Sequence, residues 1–205
     1  MLFIANAEGW PGIPTTVELL RAGTDSLEAM VAGISKVETE TKVRSVGHGG
    51  WPNMLGEMEC DAAVMNGTTR EVGTVGAVPD TIPVARLAHE VMKRLPHVML
   101  TGAGARRFAT ETGFSIDNVL LEDSKRVWWE RLEKEMTPEQ QAAFPNTPLT
   151  PLLKTITDPE RVRHHRVSER RSRPWHPYSH LDFRLGLEIP GPPWRQPNPR
   201  GRVLR

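Results

Sequence analysis

The stretch that decides the fold runs from Ser45 to Gly76 and reads SVGHGGWPNMLGEMECDAAVMNGTTREVGTVG. It begins with a glycine-rich turn, because glycine adopts positive φ at little cost and Pro52-Asn53 continues the same turn chemistry. From Met58 to Val64, apolar side chains alternate with other side chains, which predicts a strand. Asn66-Gly67 predicts a hairpin connection into a second strand over 72–78. The stretch therefore predicts a hairpin preceded by a tight loop.

Helical patterns precede and follow the hairpin. Thr15 or Thr16 is expected to cap a helix that ends before Gly23, and Asp25 a second helix. Pro83 suits the first turn of a third helix. The apolar residues of the second and third helices recur at helical spacing and are expected to face the core: Leu27, Met30, Val31, Ile34, Val37, Val84, Leu87, Ala88, Val91 and Leu95.

The elements after the third helix are shorter. Residues 98–101 predict a buried strand, followed by a glycine turn and a helix closed by Gly113. Residues 122–136 predict another helix, and Thr137 to Gln140 resembles a capped helix start. Prolines and threonines over 145–159 predict an exposed linker.

The central residues resemble those of one enzyme family. The SVGHGGWPN block, the DAAVM strand and the NGTT turn are similar to the SVGxGGxPN, DAxxM and xGTT patterns of the α half of the glycosylasparaginase and plant-type asparaginase family. The similarity continues through residues 83–86, 96–105 and 113–114. Together these blocks cover most of residues 22–121.

The resemblance implies an α/β (α+β) fold and an amidohydrolase activity. Members of this family are N-terminal nucleophile hydrolases with a four-layer helix-sheet-sheet-helix sandwich, of which this chain would supply one half. A precursor cuts itself before a threonine, whose freed α-amine then activates the hydroxyl. The implied substrates are asparagine, glycosylasparagine or β-aspartyl peptides. The implied partners are the chain's own β chain and an (αβ)2 assembly, and no cofactor is implied.

The family's β-chain motifs are absent from residues 115–205 as written. From Arg161 onward the chain has eleven arginines, seven prolines and no lysine. Back-translating this tail and shifting the frame by one base lets His180 to Arg205 be read as TSTSGLAWKFPGRRGDSPILGAGFY. That reading contains the family's TSTSG and GRxGDSP blocks in order. The tail is therefore interpreted as out of frame.

The frame break is expected directly after Val162. Arg163, His164, His165 and Arg166 can be re-read as Asp-Thr-Ile-Gly, the family's cleavage motif without its histidine. The nucleophilic threonine is lost at this point, so we assign no catalytic residue and expect a truncated chain that is inactive alone. The expected organisation is an α-subunit core over 1–127, a helix and mobile linker over 128–162, and a disordered tail over 163–205.

Few other residues suggest a site. Trp10-Pro11 matches a Trp-Pro pair that walls the family's substrate pocket, so Trp10 is a candidate substrate-binding residue, although gapless alignment places that wall at Ala7. Cys60 is expected to pack rather than react, and His48 to support the wall of the sandwich. Residues 102–104 are expected to form a strand-to-helix turn rather than a phosphate loop. No metal site is assigned, since His164-His165 lacks accompanying ligands.

Composition leaves two further functional classes open. With 38% hydrophobic and 25% charged residues, the chain is typical of a globular protein. Residues 1–160 are net acidic, so neither nucleic acid nor a membrane is expected as a partner. Met1 to Ala7 is too short and uncharged for a secretory signal, which favours the cytoplasm. The alternatives are a non-catalytic paralogue that binds an intact partner and a nucleic-acid-binding protein that uses the arginine tail.

Overall fold

The chain is described here from a computed structural model, over residues 3–152. The helices of this part are α1 (Ile13–Arg21), α2 (Ser26–Thr39), α3 (Val84–Arg94), α4 (Gly102–Glu111), α5 (Glu122–Glu135) and α6 (Pro138–Ala143). The strands are β1 (Glu59–Met65), β2 (Val72–Pro79) and β3 (Met99–Thr101). Single 3-10 turns lie at Ala7–Gly9 and Gly47–Gly49. The mixed α+β class expected from the sequence is confirmed.

The two N-terminal helices begin differently. The Asp25 carboxylate accepts hydrogen bonds from the backbone N–H groups of Leu27 (3.0 Å) and Glu28 (3.1 Å), so its predicted capping of α2 is confirmed. The predicted cap of α1 is wrong. That helix starts after Gly12, and the Thr16 hydroxyl instead donates to the Gly12 carbonyl at 3.0 Å. Pro14 explains the earlier start, because proline favours the first helical turn.

The three strands form one sheet in the order β1-β2-β3. β1 and β2 pair antiparallel, as the hairpin prediction required, and β3 pairs parallel to β2. The hairpin connection spans Asn66 to Glu71, and the Asn66 side chain accepts from the N–H groups of Thr68 (3.0 Å) and Thr69 (3.2 Å). Asparagine thus organises the turn through its own side chain.

The helices cover one face of the sheet. The inward side chains Cys60 and Val64 of β1, and Val75 and Val78 of β2, are buried in a single core with α2 and α3. The predicted inward positions of α3 are buried except Leu95, which is half-buried. Every predicted inward position of α2 is buried as well. Burial of this apolar surface is the main stabilising contribution in the described chain.

The opposite face of the sheet is bare within residues 3–152. On β1 the outward residues Glu59, Asp61, Ala63 and Met65 are all exposed. Pairing places Ala63 beside Thr74, and Thr74 beside Met99, in a row across this face. We call this surface, made by the outward residues of the three strands, the open face.

The prediction of a buried strand over 98–101 is half correct. The strand exists as β3, but Val98 is 58% exposed and Met99 is 53% exposed. β3 lies at the edge of the sheet and contributes to the open face, which no described residue covers. The apolar character of residues 98–101 therefore does not indicate that they are buried within this part of the chain.

Helices α5 and α6 form a separate arm with its own small core. Leu132, Met136 and Leu152 are buried together, with Trp128, Trp129 and Phe144 packed against them. The Thr137 side chain and Gln140 form the expected capping box at the start of α6. Thr147 and Leu152 are buried, which differs from an exposed linker because this end of the chain returns to α5.

None of the helices within residues 3–152 is both long enough and apolar enough to span a bilayer.

Gly73 allows β2 to lie directly against α3. A Cβ at this position would be 2.1 Å from the Ala88 carbonyl oxygen and 2.7 Å from the Met92 Cβ. We expect Gly73→Ala to force the helix away from the sheet and to lower the free energy of unfolding by about 1–3 kcal/mol. Urea unfolding followed by circular dichroism measures this loss.

Gly104 supplies the matched control. It lies in α4, and a Cβ there meets nothing within 4 Å. Gly104→Ala should stabilise the protein by up to about 1 kcal/mol, because alanine restricts the unfolded chain and favours the helix. Equal effects of the two substitutions would contradict the close packing at Gly73.

Candidate functional site

A cavity of about 140 Å³ lies along the free edge of β1. Its walls come from the end of α2, the glycine turn, β1 and the start of α3. The residues that line it are Ile34, Glu38, Ser45, Val46, Gly47, Trp51, Met58, Glu59, Cys60, Asp61, Ala62, Ala63, Val84 and Ala85. The stretch that predicted the fold therefore also builds most of the cavity.

The glycine turn forms one wall because its backbone packs without side chains. Gly47 has φ +58°, and a Cβ there would lie 1.9 Å from the Glu38 carbonyl oxygen. A Cβ at Gly49 would lie 1.8 Å from the Val43 carbonyl oxygen. Both glycines are required by this close approach, and Gly47 also by its left-handed conformation.

Glu38 joins the turn to the two helices. Its side chain is 3% exposed, and its Oε1 accepts from the Ala85 N–H at 3.0 Å, in the first turn of α3. Its Oε2 has no hydrogen-bond partner of normal geometry among the described residues. Burial raises the pKa of Glu38 to about 7, against the stabilising N–H groups of Ala85 and Val84. Glu38 is a helix cap that costs free energy whenever it is charged.

Cys60 lines the same cavity, but its thiol is unreactive. It is buried and free, and burial, with the nearby charge of Glu38, raises the pKa of its thiol to about 12. A thiol is nucleophilic only as the thiolate, which is scarce at such a pKa. The structure therefore agrees with the interpretation of Cys60 as a packing residue.

Asp61 has a structural role that sequence reasoning did not assign. The register shifts between Cys60 and Ala62, and Asp61 Oδ1 accepts from the Ala77 N–H at 2.7 Å. Ala77 has φ +48°, a strained conformation for a residue with a side chain. Asp61 thus stabilises a β-bulge at the rim of the cavity. Its place in the DAAVM block was the only available signal.

A second cavity, of about 380 Å³, lies at the start of α4. It is lined by Gly102 and Ala103 together with Glu57, Glu59 and Asp80. The chain passes from strand to helix here as predicted, but residues 102–104 form the start of α4 directly after β3 and not a separate glycine turn. Carboxylates on the wall do not favour a phosphate at this position.

Trp10 lines neither of the two cavities. It follows the turn at Ala7–Gly9 and is 52% exposed. Its connection to the first cavity is indirect, since Glu8 accepts a hydrogen bond from the Ser45 hydroxyl, and Ser45 lines that cavity. The substrate-binding role of Trp10 stays a prediction. His48 is half-buried in the glycine turn and does not line the first cavity.

The predicted site of nucleophile loss, Arg163 to Arg166, lies outside the described residues, as does His164-His165 as a metal candidate. Within residues 3–152, no group of three or more His, Cys, Asp or Glu side chains is placed to hold a metal ion.

The raised pKa of Glu38 predicts a pH-dependent stability. The folded protein binds the Glu38 proton more tightly than the unfolded chain, whose reference value is 4.5. Stability from this group is therefore present below about pH 4.5 and is lost as the pH rises towards 7. Glu38→Gln removes this titration and keeps an acceptor for Ala85. Between pH 5 and pH 8, the free energy of unfolding of Glu38→Gln should rise by up to about 3 kcal/mol relative to that of the wild type.

Urea unfolding at the two pH values measures this difference. Glu57→Gln, at an exposed carboxylate, is the control and should show no comparable gain. A parallel pH dependence of wild type and Glu38→Gln would contradict the assignment.

Comparison with known proteins supports the resemblance stated from the motifs. The asparaginase family model matches residues 13–158. The chain is 35% identical over 129 residues to N(4)-(Beta-N-acetylglucosaminyl)-L-asparaginase of Elizabethkingia miricola, which covers 63% of this chain and 36% of that protein. It is 36% identical over 133 residues to a probable isoaspartyl peptidase/L-asparaginase of Arabidopsis thaliana, covering 63% and 37% respectively.

A mouse isoaspartyl peptidase/L-asparaginase is 31% identical over 121 residues, with 58% of this chain and 36% of the mouse protein covered. The chain spans about a third of the length of these curated relatives. Because the family model matches more than half of the chain, we conclude that the chain belongs to the asparaginase family.

Proposed function

We propose that the described residues are the α portion of a threonine-nucleophile amidohydrolase that cleaves β-aspartyl amide bonds. The names of the relatives, which are glycosylasparaginases and isoaspartyl peptidase/L-asparaginases, support this class of substrate. The substrates proposed are asparagine, glycosylasparagine or a β-aspartyl peptide.

The open face is the observation that carries the proposal. Apart from Glu59 and Asp61, its residues are small or apolar, and Asp61 is already bonded to Ala77. A sheet face in contact with water normally carries polar side chains. We propose that a second sheet, from the β chain, covers this face and completes a four-layer sandwich. The relatives' additional length supports a missing second half.

The chemistry of the first cavity also favours a nucleophile supplied from elsewhere. Its lining includes no threonine, its thiol is held protonated, and its one hydroxyl, that of Ser45, is bonded to Glu8. In the complete enzyme, the threonine hydroxyl would attack the side-chain amide carbonyl and expel the amine. Water would then release aspartate, with preorganised donors stabilising the oxyanion.

The chain as written would lack this machinery. We propose that a frame break after Val162 replaces the threonine with the sequence around His164, and that the chain alone neither cuts itself nor hydrolyses substrate. The proposed intact protein includes its own β chain and forms an (αβ)2 assembly. Trp10 would line its substrate pocket.

Restoring the frame tests the proposal. Two bases added after the Val162 codon, with the gene's downstream codons supplied, should yield a precursor that splits into two fragments before the recovered threonine. Released aspartate should be measurable with asparagine or glycosylasparagine as substrate. The unrestored chain should give neither the fragments nor aspartate, because it lacks the hydroxyl and the freed α-amine.

Replacing the recovered threonine by alanine is the control, and it should abolish both cleavage and activity. Release of aspartate by the unrestored chain, purified from a host without homologues, would contradict the frame break. Codons downstream of Val162 that do not continue the family sequence would do the same.

A non-catalytic paralogue is the second candidate, and the open face favours it equally. In that case the chain would bind the β portion of an intact relative and remain inactive after purification with it. The nucleic-acid-binding alternative depends on the arginine tail, and nucleic acid that copurifies and is released by salt would support it.

A further inference from the structure

Helix α5 contacts the segment from Arg44 to Gly56 at three points, and one of them is at Trp51, which lines the first cavity. Asp123 Oδ2 lies 3.7 Å from Arg44 Nη2, at the base of the glycine turn. Arg131 places its guanidinium 4.9 Å from the centre of the Trp51 ring. Trp128 lies over Gly56, where an added Cβ would be 2.6 Å from the indole. These contacts span about two turns of one helix.

Trp51 is the part of the wall that these contacts hold. Its ring lies between two guanidinium groups, since Arg44 is 4.5 Å from the ring centre in addition to Arg131. The side chain both lines the cavity and is 38% exposed, so it stands between the cavity and solvent. Displacement of Trp51 would therefore widen the opening of the cavity.

The loop under α5 depends on that helix for its packing. Met54 packs in the small core of α5 and α6 and not in the core of the sheet. Gly56 has φ +82° and leaves room for the Trp128 ring, so the loop is shaped to receive the helix. Without α5, the loop from Trp51 to Gly56 would lose its apolar contacts with the arm.

We propose that α5 is a clasp: it holds the loop from Trp51 to Gly56 in place, and its release opens the cavity beside β1. Asp123, Trp128 and Arg131 are the residues of the clasp. Opening requires only the separation of the arm and leaves the sheet with its covering helices intact. The proposal concerns access to the cavity and holds whether or not the chain has amidohydrolase activity.

Alkylation of Cys60 can be used to measure the opening of the cavity. Cys60 is the one cysteine of the chain, it is buried, and it lines the cavity. In the closed form the thiol is covered and its pKa is raised to about 12, and each of these two effects slows alkylation. When the loop leaves, the reagent can enter the cavity that the thiol lines. The rate of alkylation therefore follows the open fraction.

The experiment measures alkylation of Cys60 by iodoacetamide in the full chain at pH 8, by mass spectrometry. Arg131→Ala removes one cation–π contact from an exposed position and should raise the rate about 2- to 5-fold. Trp128→Ala should raise it more than about tenfold. Glu130→Gln is the control on the same helix, because Glu130 bonds only to Arg126 in the described structure. Its rate should equal that of the wild type.

Hydrogen exchange separates clasp opening from general unfolding. Arg131→Ala should lower amide protection in residues 50–58 and leave β1 and β2 unchanged. The same alkylation rate in Arg131→Ala and Glu130→Gln would overturn the clasp. A faster rate accompanied by equal loss of protection across β1 and β2 would overturn it as well. If Trp128→Ala does not fold, Arg131→Ala decides the outcome.

Discussion

The carboxylate of Glu38 and the backbone around it join three elements at one point. The side chain caps the first turn of α3, while the carbonyl group of the same residue is packed against Gly47 in the glycine turn. The glycine turn leads towards β1, and α3 covers the sheet to which β1 belongs. A shift of Glu38 would therefore move the helix, the turn and the cavity wall together. This contact is the constraint that sets the position of the cavity.

The buried carboxylate of Glu38 lowers the stability of the fold when it is charged. A buried carboxylate loses its hydration, and two backbone N–H groups offset only part of that loss, which is why the pKa of Glu38 rises to about 7. Proton uptake relieves the cost without removing the cap. Glu38 is therefore better explained by its capping of α3 than by a contribution to stability at neutral pH. Its charge also raises the pKa of Cys60, which keeps the cavity chemically quiet.

Within residues 3–152, helices cover only one face of the sheet. Three helices, α2, α3 and α4, contribute side chains to the core, while the open face carries Ala63, Thr74 and Met99 beside Glu59 and Asp61. Membership of the asparaginase family, together with a span of about a third of the relatives' length, provides a consistent reason for this asymmetry. The proposed β chain would cover the open face, and the α5 clasp would control the cavity on the edge of β1. The two surfaces share Glu59, Asp61 and Ala63, so completing the sandwich would also affect one wall of the cavity.

The sequence by itself determined the elements whose signals are local. The Asp25 cap, the capping box at Thr137, the hairpin and the inward positions of β1 and α3 were all predicted, because each depends on residues within a few positions of one another. The family was also recognisable, since its blocks keep their order along the chain. Only tertiary structure decided the exposure of Val98 and Met99, the bulge held by Asp61 and the placement of Trp51 between Arg44 and Arg131. Each of these depends on residues distant in sequence, and hydrophobic periodicity shows that a side chain is apolar without showing what covers it.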